Sequence, residues 1–160
     1  MNRNRKSYSS GVGALALLAA LVAPVSASAA AAKDPAPDVA GLVALYVPIQ
    51  EELAADSVLT VREKAAKLAS AASSAGESAK EVAAAARAMN GTRIDDLREQ
   101  FKALSTAVAR LVEGNAVDGH GIYYCPMAGA YWVQKKGEVA NPYYGEEMLR
   151  CGAPAARVES

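Results

Sequence analysis

The sequence predicts a mainly α-helical fold, a small antiparallel bundle of about four helices with a C-terminal segment of irregular structure and short strands packed on it. Between residues 38 and 111, apolar side chains recur at steps of three and four, the spacing of one buried helical face. After Gly114 the composition changes, because glycines, tyrosines and the single tryptophan replace helix-forming residues. These observations predict one domain over residues 38–152, whose last part, from about residue 119, is not helical.

The first 29 residues have the order of features found in a secretory signal peptide. Arg3, Arg5 and Lys6 are followed by an uncharged apolar run over residues 12–22 and then by small residues before Ala29. The run is about eleven residues long, against the roughly 20 that a membrane-spanning helix needs. We therefore expect cleavage near Ala29 and export to the periplasm. No cysteine lies directly after the run, so a lipoprotein is not expected.

The mature chain of about 130 residues suffices for one ordinary domain with a modest core. Residues 30–37 are predicted as a flexible lead-in and residues 153–160 as a flexible tail. Removing the three basic residues of the signal peptide leaves 14 basic side chains against 17 acidic ones, a net charge of about −3. Without a basic face, nucleic acid is not an expected partner. No membrane span is expected after cleavage.

Three amphipathic segments precede the longest predicted helix. The first carries one apolar stripe, and Pro48 within it should kink or divide the helix. The members of this stripe are Val39, Leu42, Val43, Tyr46, Ile49 and Leu53. Thr60 with Glu63, and Ser78 with Glu81, have the capping-box spacing that marks a helix start. They predict where the second and third helices begin.

The fourth and longest predicted helix lies between residues 92 and 111. Its apolar residues alternate steps of three and four over nearly three heptads. They are Ile94, Leu97, Phe101, Leu104, Val108 and Leu111. Such a stripe also suits a dimer seam, but the three shorter helices nearby favour the core of an antiparallel bundle.

The C-terminal segment holds six of the nine aromatic residues of the chain. Residues 122–124 and 131–134 are predicted as short strands, paired through a turn at 126–129. Residues 146–150 are predicted as one helical turn. Because tyrosine and tryptophan gain more from burial than from solvent, we expect this segment to pack on the bundle.

The same segment concentrates the sulfur atoms of the mature chain. Cys125 and Met127 are two residues apart, and Met148 and Cys151 are three apart. Thiolate and thioether ligands are soft and suit Cu(I), or Ag(I) as its analogue, whereas zinc gains little from thioethers. The single histidine, His120, could replace one sulfur or stand at the mouth of the site. These five residues are the candidate metal ligands.

A disulfide between Cys125 and Cys151 is the alternative, because exported proteins fold in an oxidising compartment. It would close a loop of about 26 residues and contribute on the order of 3 kcal/mol. The chain would then be a structural or interaction module of the cell envelope. An enzyme is not expected, since the sequence has no nucleophile motif, phosphate-binding glycine loop or haem-attachment motif.

Rare residues of this segment, in fixed order, resemble the signature of an uncharacterised family of small exported bacterial domains. The matching motifs are Tyr124-Cys125-Pro126-Met127-Ala128, Tyr131-Trp132, Asn141-Pro142-Tyr143-Tyr144-Gly145 and Met148-x-x-Cys151-Gly152. The resemblance covers residues 39–152, and that family is also found joined to periplasmic adaptor subunits of copper/silver efflux pumps of the CusB type. It implies a periplasmic heavy-metal role in copper handling or efflux support, with envelope efflux or copper-handling proteins as partners. It also implies that the two cysteines, Met127 and Met148 are metal ligands.

Overall fold

A computed structural model of the chain describes residues 37–159. The predicted signal peptide and nearly all of the predicted lead-in lie outside this range. Four helices occur within it, in agreement with the predicted number. They are α1 (Val39–Ala54), α2 (Val61–Ser74), α3 (Lys80–Arg87) and α4 (Ile94–Gly114). None of the helices in this range is long and apolar enough to cross a membrane.

The helices pack in chain order, α1 on α2, α2 on α3 and α3 on α4, and α1 also contacts α4. The apolar stripe of α4 supplies much of the core, since Leu97, Phe101, Leu104 and Val108 are buried, while Ile94 is only partly covered. The ring of Phe101 stacks on Tyr46 of α1 at a centroid distance of 5.4 Å. The predicted bundle core is therefore confirmed.

Helix α1 runs through Pro48 without a break, so the proline does not divide it. Proline removes one backbone hydrogen bond, but Val47 and Ile49 on either side are buried and tie both halves to the core. The start of α1 is capped by Asp38, whose Oδ1 accepts a hydrogen bond from the Gly41 N–H at 2.9 Å.

Neither predicted capping box forms. Thr60 makes no side-chain cap, and its hydroxyl instead donates to Glu52 of α1 at 2.6 Å. Glu52 also accepts from the Thr60 N–H at 2.7 Å and from Lys64 at 2.5 Å. A charged acceptor on a neighbouring helix thus replaces the local cap. Helix α3 begins at Lys80, after a 3-10 turn over Glu77–Ala79, so Ser78 lies inside that turn.

Three antiparallel strands follow the helices in the described range, in the spatial order β2-β1-β3. They are β1 (His120–Cys125), β2 (Ala130–Lys135) and β3 (Ala153–Pro154). The predicted hairpin is confirmed, with Cys125 opposite Ala130, and both strands extend beyond their predicted limits. The domain is thus a helical bundle with a small sheet, a mixed α/β arrangement in its C-terminal part.

The flexible tail predicted over residues 153–160 is not what the structure shows up to residue 159. Ala153 and Pro154 pair with β1, and the Ala155 N–H donates to the Ile122 carbonyl at 2.8 Å. The reason is the free edge of β1, whose backbone groups need partners on the side away from β2. The Ala-Pro-Ala-Ala sequence carries no strand periodicity that could have announced this pairing.

The outer edge of β2 faces α1 and α4, and tyrosine hydroxyls complete its hydrogen bonds. The Val133 N–H donates to the Tyr46 hydroxyl at 3.3 Å, and the Tyr143 hydroxyl donates to the Tyr131 carbonyl. The Tyr143 oxygen also lies 2.6 Å from the Ser105 hydroxyl on α4. Burial raises the pKa of Tyr143 above its usual value of 10, so the phenol stays neutral. These bonds fix the hairpin on the bundle.

Candidate metal and thiol site

The two cysteines meet at one end of the sheet. Cys125 is the last residue of β1, and Cys151 lies two residues before β3, which pairs with β1. The fold brings their Sγ atoms to 3.8 Å although 26 residues separate them in the chain, and both thiols are free. The structure therefore joins the two strongest candidate ligands that the sequence offers.

Asn141 holds the segment that carries Cys151. The asparagine is fully buried, and its Nδ2 donates to the Cys151 carbonyl at 2.7 Å. Its N–H donates to the Leu149 carbonyl at 2.8 Å, and its Oδ1 accepts from the Tyr143 N–H at 2.8 Å. The side chain of Asn141 thus satisfies two backbone partners of this loop and its own N–H a third, all of which would otherwise be left unpaired. Sequence reasoning did not assign this role to Asn141.

Gly152 lets the chain pass close to Trp132. A Cβ at this position would lie 2.4 Å from Cη2 of the indole and 3.1 Å from the Tyr124 carbonyl oxygen, and φ is +135°. No residue with a side chain fits that space or favours that backbone conformation. The Trp132 ring stacks on Tyr123 at 5.6 Å and is fully buried. Because residue 152 is a glycine, the backbone next to Cys151 can lie close to the buried Trp132 ring.

A clamp formed by Asp56 and Arg98 fastens the preceding loop to the bundle. The Asp56 carboxylate accepts from the Glu146 N–H at 2.8 Å and from Arg98 of α4 at 2.6 Å. Arg98 also donates to the Pro142 carbonyl at 3.0 Å. The hydrogen bonds from Glu146 and then Arg98 lower the pKa of Asp56 below its usual value. A Cβ on Gly145 would collide with Asp56, so this glycine permits the clamp.

The two sulfur atoms differ in their surroundings. Cys125 is fully buried, and its Sγ accepts a hydrogen bond from the Ala128 N–H at 3.4 Å. Cys151 is partly exposed. Desolvation, followed by the neighbouring Cys125 thiol, raises the pKa of Cys151 above its usual value. At neutral pH the Cys151 sulfur is thus a thiol unless a cation displaces its proton.

Both methionines lie at the same end of the sheet as the cysteines. Met127 is in the turn that follows β1, and its side chain is 64% exposed. Met148 is partly buried in the 3-10 turn Gly145–Met148, and its carbonyl accepts the Cys151 N–H at 2.9 Å. Each thioether therefore stays within three residues of a thiol, and neither is sealed in the core.

His120 is not brought to the cysteines. It opens β1 while Cys125 ends it, and five steps along a strand span roughly 17 Å. Its Nδ1 lies 2.9 Å from the Asp118 carbonyl oxygen. In the part of the chain that the structure describes, no three His, Cys, Asp or Glu side chains come together. The sulfur pair thus supplies two ligands, where structural zinc takes four.

The distance between the two sulfur atoms is compatible with a shared metal ion and with a disulfide bond. A cation about 2.3 Å from each sulfur, the length of a Zn–S bond, would span the 3.8 Å separation at an angle of about 110°. A disulfide needs about 2.05 Å, so the sulfurs would have to approach by somewhat less than 2 Å. A three-coordinate soft ion and an intramolecular disulfide are both within reach of small side-chain rotations.

A groove of about 670 Å³ opens beside Cys151. Its walls include Tyr124, Pro126, Tyr131, Pro154, Arg157 and Glu159. The two tyrosine rings lie against each other at a centroid distance of 4.7 Å. Cys151 lines this groove, and Cys125 does not. One thiol of the pair is thus open to a ligand.

No protein-family model, curated protein or solved structure matches the chain.

Proposed function

We propose that this domain binds a soft monovalent metal ion, Cu(I) or its analogue Ag(I), through the Cys125 and Cys151 thiolates. The observation that carries the proposal is the 3.8 Å separation of two free thiols that are 26 residues apart in the chain. Thiolates are soft ligands that favour Cu(I) over harder cations, and this fold places two thiols side by side. Because the first 29 residues have the features of a signal peptide, we expect this activity in the periplasm, in copper handling or efflux support.

The surroundings of the pair support a cation site. Thioethers complete soft sites as neutral ligands, and Met127 and Met148 each lie within three residues of one of the two cysteines in the chain. Two thiolates carry more negative charge than one monovalent ion neutralises, which favours binding over release. Glu146 and Glu147 are exposed on the adjacent turn and add negative potential for an approaching cation.

A disulfide-closed interaction module is the second candidate, and it rests on the same 3.8 Å contact. In an oxidising compartment the pair would close and staple the C-terminal segment to β1. The remaining surface would then bind an envelope protein. Thiol titration of protein taken from the periplasm distinguishes two free, metal-protected thiols from an oxidised pair.

The decisive experiment titrates fully reduced protein with Cu(I) held by a chromophoric chelator, under anaerobic conditions. We expect one equivalent per chain to leave the chelator. The Cys125→Ser, Cys151→Ser double variant should not compete. Met89→Leu, a substitution of a buried core methionine on another part of the bundle, is the control and should bind like the wild type. Absence of binding, or unchanged binding in the double variant, would leave the interaction module as the function.

A further inference from the structure

The two cysteines differ in how far they are exposed. Cys125 has no exposed surface, and its sulfur is held by the Ala128 N–H and by contact with Cys151. Cys151 lines the groove next to Tyr124 and Pro126. A reagent entering that groove meets Cys151 and not Cys125, because Cys125 is buried and does not line the groove. Pairs with one exposed and one enclosed thiol suit two-step exchange, in which the enclosed thiol resolves a mixed disulfide.

We propose that the groove admits a small disulfide, which Cys151 attacks, and that Cys125 then closes the Cys125–Cys151 disulfide. The pair would thus be a thiol–disulfide exchange site with assigned roles, Cys151 as the attacking thiol and Cys125 as the resolving thiol. Neither role follows from soft-metal binding, which treats the two thiolates alike.

The chemistry of the groove indicates the kind of disulfide. Arg157 and Glu159 place one cation and one anion among its lining residues. That pair complements a carboxylate and an ammonium group, the charged ends of an amino-acid-derived thiol. The tyrosine pair and Pro126 offer apolar surface for the methylene groups between those ends. A zwitterionic low-molecular-weight disulfide therefore fits better than a purely apolar one.

The exchange balances with the small disulfide as the oxidant. Cys151 first loses its proton to water, and its thiolate then attacks one sulfur of the disulfide; a bond forms between them, and the first small thiolate leaves. The Cys125 thiolate then attacks the Cys151 sulfur 3.8 Å away, which forms the intramolecular bond and expels the second small thiolate. The two protons of the protein thiols end on the two small thiols. The small disulfide gains two electrons, and the cysteine pair loses two.

The consequence for the metal rests on the proposed function. Once the pair is oxidised, neither sulfur is a thiolate, so a bound Cu(I) would be released. Exchange at this groove would make metal binding depend on the redox state of the compartment. The exchange itself does not require that the domain bind metal.

The test treats the metal-free mature protein, residues 30–160, with oxidised glutathione as the probe. In Cys125→Ser the reaction should stop at one glutathione on Cys151, detected by intact mass and peptide mapping. In Cys151→Ser the adduct on Cys125 should form roughly tenfold more slowly or not at all, because that sulfur is enclosed. In the wild type the early adduct should map to Cys151 and then give way to the internal disulfide. The wild-type measurement needs no variant to fold.

A second pair of reactions tests the groove. Arg157→Gln should slow the adduct with glutathione several-fold and leave the reaction with the neutral bis(2-hydroxyethyl) disulfide unchanged. Equal rates on the two cysteines, early adducts on Cys125, or no adduct on either would overturn the assigned roles. Equal effects of Arg157→Gln on both probes would overturn recognition by the groove. Cu(I) titration of the reduced wild type, without any disulfide, judges the metal proposal separately.

Discussion

The Asp56 carboxylate lies 2.6 Å from the guanidinium of Arg98, although 42 residues separate them. Arg98 is largely covered and also donates to the carbonyls of Leu53 and Pro142 at 3.0 Å. One side chain thus joins the end of α1, helix α4 and the loop that leads to Cys151. Its contribution should be much larger than that of an exposed ion pair, because several acceptors depend on it.

Replacing Arg98 with Leu should therefore lower the free energy of unfolding by about 2–4 kcal/mol, since it leaves buried acceptors without a donor. The matched control is Arg93→Leu, at a side chain that is 75% exposed, with an expected change below about 0.5 kcal/mol. Urea unfolding of both variants checks the difference. Equal effects would mean that Arg98 acts only as surface charge.

Glu52 should make the stability of the bundle depend on acid. Burial raises its pKa, but the hydrogen bonds from Lys64 and Thr60 outweigh this and bring it down to about 2, against a usual 4.5. Because the pKa of Glu52 is lower in the folded protein than in the unfolded protein, its ionised carboxylate stabilises the fold at pH values above about 4.5. This contribution is lost as the pH falls from about 4.5 towards 2. A pKa lowered from 4.5 to about 2 corresponds to roughly 3–4 kcal/mol, and solvent screening reduces this contribution to about 2–3 kcal/mol. Glu52→Gln should be less stable at pH 7 and should show a flatter decline in that window. A parallel decline in both proteins would contradict the assignment.

Tyr143→Phe should cost about 1–3 kcal/mol, because the Tyr131 carbonyl and the Ser105 hydroxyl would lose a buried partner. Tyr144→Phe is the neighbouring control. Its hydroxyl donates to the Met127 carbonyl at 3.2 Å near the surface, where water can substitute, so the change should be small. Thermal unfolding measured on both variants decides whether the edge of β2 depends on this phenol.

Gly152→Ala should destabilise the domain by several kcal/mol, on the order of 2–4, because the new methyl group would collide with Trp132 at a φ of +135°. Gly114→Ala, at a position with open space around it, should be neutral or slightly stabilising. If Gly152→Ala folds, its thiols should pair less readily, since Cys151 is the adjacent residue. Unchanged stability and unchanged thiol pairing together would show that the site tolerates a side chain here.

The order of ligand effects tests the proposed metal site. Cys125→Ser or Cys151→Ser should abolish tight Cu(I) binding, whereas Met127→Leu or Met148→Leu should weaken it only in part, because a thioether is neutral and replaceable. His120→Ala should have no effect, given its place at the other end of β1. Affinity should fall as pH is lowered, since the raised pKa of Cys151 lets protons compete at higher pH. Chelator competition at two pH values gives both answers. A methionine effect larger than a cysteine effect would refute the thiolate site.

Local sequence patterns were enough to predict the helices and the hairpin. Apolar residues recur every three to four residues in a helix and every two in a strand, and both repeats depend only on residues close in sequence. The capping box of Thr60 failed because Glu52 reaches Thr60 from another helix, which no local motif contains, and that of Ser78 failed because Ser78 lies in the 3-10 turn before α3. Strand β3 was missed because Ala153 and Pro154 are defined only by the edge they pair with.

The residues of the candidate site could be predicted from their side-chain chemistry, but their positions in the fold could not. Cys125 and Cys151 could be named from the rarity of their sulfur atoms, and their contact depends on a register that the sequence does not display. His120 is only five residues from Cys125 in the chain, but along an extended strand those five residues span roughly 17 Å. Asn141 belongs to a motif of the resemblance, but its role in the loop was not predicted, since a buried amide that organises a loop looks like any polar residue in the sequence.

Trp132 gives this domain an internal optical reporter. It is the only tryptophan of the chain, its indole N–H is fixed on Gln134 at 2.9 Å, and its ring edge lies against Gly152. Indole emission is quenched by nearby disulfides and by sulfur-bound copper, through electron transfer that acts over a few ångströms. Changes at Cys151, one residue from that glycine, should therefore be visible in the fluorescence of unlabelled protein. The arrival of an ion and the closure of the pair could then be followed in real time, in the same cuvette.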